Sequence, residues 1–74
     1  MEDTKKIFGS RIRSLRKAKG LTQESLAERA GISVDFVSLI ERGINAPSFE
    51  VLWRLANALE LSLSEVFDFS KKIS

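Results

Sequence analysis

Apolar side chains recur along this chain at intervals of three and four, with no stretch of strict alternation. From Thr4 to Lys19 the repeat is Phe8, Ile12 and Leu15 with charges between, which predicts a helix burying one stripe. Gly20 ends it. Thr22 can cap a second helix running to about Arg29, and Ser33 a third running to about Arg42, stopped by Gly43. After a loop over Ile44 to Pro47, Ser48 caps a fourth helix whose inward stripe is Leu52, Leu55, Ala56 and Leu59. Ser62, with Glu65 three residues on, has capping-box spacing and opens a short fifth helix with Val66 and Phe67 inward. A loose tail follows over Lys71–Ser74. The expectation is an all-α, compact five-helix domain with no strands and no internal repeat.

The joint between the second and third helices, about 22–43, carries the geometric information. Ala27 lies inside the second helix, where a bulkier side chain would hold the third away. Gly31 falls four residues later, where the chain must reverse and positive φ is favoured. Val37 and Ile40 lie three apart on the third helix and, with Leu26, Ala30 and Ile32, seal the pair against a core. Such a bihelical corner is shaped to push its second helix into a DNA groove. Gly9 sits in mid-helix, where it costs up to about 1 kcal/mol relative to alanine. Close approach of another helix is the expected reason.

Seventy-four residues at 43% apolar content suffice for a single core, so residues 1–74 read as one domain. With no cysteine, disulfides and thiolate chemistry are excluded, and with no histidine a zinc site would need carboxylates alone and is not expected. No run approaches membrane-spanning length and no signal-peptide pattern opens the chain, so a soluble, cytoplasmic protein is expected. The net charge is only +2, but residues 1–20 carry seven basic side chains against Glu2 and Asp3. Residues 21–74 carry five basic and eight acidic. A basic first helix is either a solvated face or, beside a helix-turn-helix, a surface laid along phosphates.

With helices, caps and turn in place, the chain resembles the Xre/Cro-type helix-turn-helix family, which includes phage repressors and restriction–modification controller proteins. The matching stretches are RIRSLR from Arg11, GLTQESLA from Gly20, IERG from Ile40, Pro47-Ser48 and LSLSE from Leu61. They span about Ile7 to Phe67 and leave no separate effector or catalytic domain expected. The resemblance implies a repressor-like fold that binds DNA as a dimer with the third helix in the major groove.

It also implies which residues meet DNA. Ser33, Val34, Asp35, Ser38 and Leu39 occupy the positions that the family aims at base edges. The commoner pattern there places Arg at 34 and Arg or Lys at 39, from which this chain departs. Val34 and Leu39 can offer only apolar contact, for instance with a thymine methyl, while Asp35 can accept from a cytosine amino group and Ser38 can bond several bases. Asp35 has a second reading, a carboxylate that favours the helix N-terminus by about 0.3–1 kcal/mol. Phe36 reads as packing at the core edge, with contact to a sugar as the alternative. For the DNA backbone, Gln23 matches the family's phosphate-contacting glutamine, beside Thr22 and the exposed amides of the second helix, with an ordinary solvent-facing helix residue as the alternative. Arg42 and Asn45 match positions that grip the other strand, and Arg11, Arg13 and Lys17 are further candidates. Arg16 and Glu41 match a family ion pair joining the first helix to the end of the third, and two independent surface charges are the alternative.

Apolar surface is left over on the last two helices, about 48–69. Phe49 and Trp53 lie four apart on a face offset from the Leu52–Leu59 stripe, and Leu63, Phe69 and Ile73 are also unaccounted for. A homodimer interface through Phe49, Trp53, Leu63 and Phe69 suits a reader of paired half-sites one helical turn apart. The competing reading puts Phe49 over the core and leaves Trp53 half exposed.

The leading expectation is a sequence-specific transcriptional regulator on a double-stranded DNA operator, acting by occluding or contacting RNA polymerase. Its small size suits a restriction–modification controller, with a prophage or toxin–antitoxin type repressor as the alternative. A protein-interaction module that has lost DNA binding is a second class. An enzyme is not expected: Ser10, Ser14, Ser25, Ser33 and Ser38 have no base, and no phosphate loop or acidic metal cluster is present. No cofactor and no small-molecule ligand are implied.

Overall fold

Every helix among the described residues begins on a side-chain oxygen. The computed structural model describes residues 3–68 and shows α1 (Thr4–Ala18), α2 (Gln23–Ala30), α3 (Val34–Glu41), α4 (Phe49–Ala58) and α5 (Leu63–Val66). No strand occurs among the described residues, and the fold is all-α as expected. Asp3, Thr22, Ser33, Ser48 and Ser62 accept from the backbone N–H of Lys5, Ser25, Phe36, Val51 and Glu65 in turn. Each satisfies a donor that the first helical turn leaves unpaired. At α5 the box closes, because the Glu65 carboxylate accepts from Ser62 N–H at 2.9 Å.

The helix ends share a second device. Leu21, Ile32, Ile44 and Leu61 donate their backbone N–H to the carbonyls of Arg16, Ala27, Leu39 and Ala56, each five residues back. The residue just before each donor takes left-handed backbone: Gly20, Gly31, Gly43 and Glu60, with φ of 72°, 71°, 76° and 59°. Glu60 is the exception in this set, a side-chain-bearing residue where the other three are glycine.

These stops fold the helices back on one core. Ile12, Leu26, Val37, Ile40, Leu55, Leu59 and Val66 are fully buried, with Leu15, Ala27, Ala30, Leu52, Ala56 and Ala58 closing around them. All four residues of the expected α4 stripe are therefore inside, and α2 packs against both α3 and α4. The expectation for Phe67 is corrected. It follows the last residue of the four-residue α5, so it leaves the helical repeat that turns Val66 inward. Phe67 is 48% exposed, stacks obliquely on Phe8 at 5.8 Å, and lines a cleft with Ile7, Pro47 and Leu52. Among the described residues no helix is long and apolar enough to cross a membrane.

Candidate nucleic-acid interface

Helix α3 divides cleanly by face. Val37 and Ile40 are buried to within 1%, whereas Val34 is 39% exposed and Asp35 is exposed beside it. Ser38 and Leu39 are half-buried, and Phe36 packs against the core from the same partly buried level. Ser33 precedes the helix as its cap, with its Oγ accepting from Phe36 N–H at 3.0 Å. A hydroxyl accepting in this way keeps its own hydrogen for a base or phosphate. The small Ala27, 4% exposed, and the left-handed Gly31 let α2 and α3 come together as a corner.

The far end of α3 is held by α1. A Cβ on Gly9 would collide with the Ile40 carbonyl oxygen and stand 2.8 Å from that of Glu41, so only glycine admits this crossing. Gly43 needs its lack of side chain twice over. Its φ is positive, and a Cβ would lie 2.7 Å from the Lys6 Cα. Between these contacts, Arg16 Nε donates to Glu41 Oε2 at 2.7 Å and Arg16 Nη2 to Oε1 at 3.1 Å. The two side chains are 11% and 2% exposed, so the pair of the sequence reading is a buried, two-pronged one. Arg16 Nη1 also donates to the Leu21 carbonyl at 2.9 Å.

Around this corner, Thr22 caps α2 and shares a 2.9 Å hydroxyl contact with Ser25. Gln23, the first residue of α2, is partly buried and donates from Nε2 to Glu41 Oε1 at 3.1 Å. Arg42 and Asn45 are exposed just beyond α3, and Arg13 and Lys17 are exposed on α1. Arg11 has another place. Its Nε and Nη2 donate to the carbonyls of Val66 and Glu65 at 3.0 and 2.7 Å, tying α1 to the end of α5. Residues so far apart in the chain give no local signal for that clamp, nor for the Gln23–Glu41 bond.

On α4, Phe49 and Trp53 are 71% and 53% exposed and share a helix face. Leu63 is partly buried against the core, and Phe69 and Ile73 lie outside the described residues.

The Helix-turn-helix family matches residues 12–66. A Bacillus subtilis relative, the uncharacterized HTH-type transcriptional regulator YazB, is 45% identical over 60 residues, covering 81% of this chain and 87% of that one. The restriction–modification controller protein C.AhdI from Aeromonas hydrophila superposes with a TM-score of 0.86 at 39% identity, covering 89% of this chain and all of that one. The DNA-binding domain of the P22 C2 repressor superposes at 0.80 with 31% identity, covering 90% and 86%.

Proposed function

Because the chain belongs to the helix-turn-helix family of DNA-binding transcriptional regulators, we propose that it reads an operator in double-stranded DNA as a homodimer. The N-terminal half of α3 enters the major groove, with Ser33, Val34, Asp35, Ser38 and Leu39 toward base edges. Thr22, Gln23, Arg42 and Asn45 grip the flanking phosphates, and the α1 contribution narrows to Arg13 and Lys17 now that Arg11 is tied to α5. The observation that carries this reading is the division of α3, fully buried at Val37 and Ile40 yet exposed at Val34 and Asp35. Bound at a promoter, the dimer occludes RNA polymerase or contacts it.

The exposed pair Phe49 and Trp53 supports the dimer, since aromatic anchors are favoured at the centre of interfaces. Within the regulator class, the likeness to a restriction–modification controller over that protein's whole length favours the same role here, in the cytoplasm. A phage-type repressor is the second reading, favoured by the likeness to the P22 C2 domain.

Selection of bound fragments from random duplex DNA tests the whole reading. A two-fold consensus with half-sites about 34 Å apart is expected. An interaction module that no longer binds DNA would enrich nothing. With about 6–10 phosphate contacts, affinity should fall by about 10³–10⁵ from low to moderate salt, and a flat dependence would rule out backbone-dominated binding.

A further inference from the structure

Glu41 does more here than pair with Arg16. Its Oε1 also accepts from Gln23 Nε2, and an ionised carboxylate has no hydrogen to give, so only the nitrogen end of the Gln23 amide can face it. Glu41 ends α3, Gln23 begins α2 and Arg16 lies in the last turn of α1. One buried carboxylate therefore joins three helices, and the Arg16 bond to the Leu21 carbonyl adds the loop that leads into α2.

We propose that Glu41 is a positioning residue for DNA-backbone binding: it holds the Gln23 amide so that the second N–H meets a phosphate oxygen. The inference rests on the phosphate contact proposed for Gln23 above. An amide nitrogen carries two hydrogens, and the carboxylate takes one. A glutamine side chain is among the costlier to immobilise, and here it is held before DNA arrives, which lowers the ordering cost of binding. The guanidinium of Arg16 engages both oxygens of Glu41, so the carboxylate reaches Gln23 as one half of a neutral pair and repels a phosphate little. Because Glu41 is also the last residue of α3, the phosphate grip and the reading helix move as one piece.

The test separates position from fold. Replacing both ionic partners, Arg16→Met with Glu41→Met, substitutes apolar side chains of similar size, a change that often leaves stability intact or raised. Gln23→Ala is then compared in the native and doubly replaced backgrounds on mixed-sequence duplex DNA, where phosphate contacts dominate. In the native background Gln23→Ala is expected to weaken binding about tenfold per half-site and lower the salt slope by about 1. The double replacement alone should melt normally yet lose a similar factor, and adding Gln23→Ala should then change affinity less than about twofold. If Gln23→Ala still costs its full factor there, the positioning role is overturned while the contact stands. If it costs nothing in the native chain, the contact itself fails. A second measurement needs no variant. Gln23 is the sole glutamine, so its side-chain amide is unambiguous in an NMR spectrum of the DNA-free protein. Hindered motion and proximity to the Glu41 methylene protons are expected, and mobility equal to that of the exposed Asn45 and Asn57 overturns the proposal.

Discussion

Gly9 of α1 and Glu41 of α3 meet backbone to backbone: a Cβ on the glycine would lie 2.8 Å from the Glu41 carbonyl oxygen. The partner is main chain and cannot swing aside. Gly9→Ala, which gains up to about 1 kcal/mol in an isolated helix, should therefore destabilise this protein by about 1–3 kcal/mol as α1 is forced off α3. Urea unfolding gives the sign directly. A more stable variant would mean that the two helices do not cross at this distance.

Glu41→Ala strands the Arg16 guanidinium, 11% exposed, without its acceptor. A loss of about 3–5 kcal/mol is expected, a large part of the 5–15 kcal/mol or so typical of a whole domain. Thermal melting by circular dichroism should show the transition moved far down. An unchanged transition would leave the ion pair without a structural role.

Glu60→Gly should act in the opposite direction. The left-handed backbone at φ 59° costs a side-chain-bearing residue about 1–2 kcal/mol, and glycine returns about 0.4–1 kcal/mol of this through the freedom of the unfolded chain. A net gain of about 0.5–1 kcal/mol follows, read as a rise in melting temperature of several degrees.

Phe49→Ala and Trp53→Ala remove side chains that are more than half exposed. Each should change monomer stability by no more than about 0.5 kcal/mol. Sedimentation should nevertheless show the pair of changes shifting the protein from dimer to monomer, with weaker operator binding in step. A double variant that remains dimeric places the two-fold contact elsewhere.

Asp35→Asn distinguishes base reading from helix-end electrostatics. Losing the charge in the first turn should cost about 0.3–1 kcal/mol of stability. If the side chain reads bases, the selected fragments should move from cytosine toward adenine at one position of each half-site, because an amide pairs with the adenine edge. An identical consensus would leave Asp35 with the helix-end role alone.

The helix starts were legible because they are local. Thr22, Ser33, Ser48 and Ser62 each cap the helix that their spacing predicts, and Glu65 closes its box. Gly9 was legible as an anomaly, a costly residue whose partner the sequence could not name. Glu60 was missed because its position is normally marked by glycine, and nothing in Glu60 itself announces a left-handed turn. Phe67 misled because periodicity was carried one residue past the end of α5. Arg11 and Gln23 were read as surface groups facing DNA. Their partners, Val66 and Glu65 for one and Glu41 for the other, lie at separations of 55, 54 and 18 residues. Pairings of that range depend on how the helices assemble, which composition and spacing do not encode.

The repeated helix stop also bears on how quickly this chain can find its shape. Four corners are each fastened by a bond spanning five residues, so the change of direction after each helix rests on contacts local in the chain. The entropy of closure is left to the pairings of long range, such as Arg11 with the Val66 carbonyl. Helical domains rich in such local contacts fold within about microseconds to milliseconds, and the same range is expected for the single chain here, with pairing into a dimer as the later, concentration-dependent step.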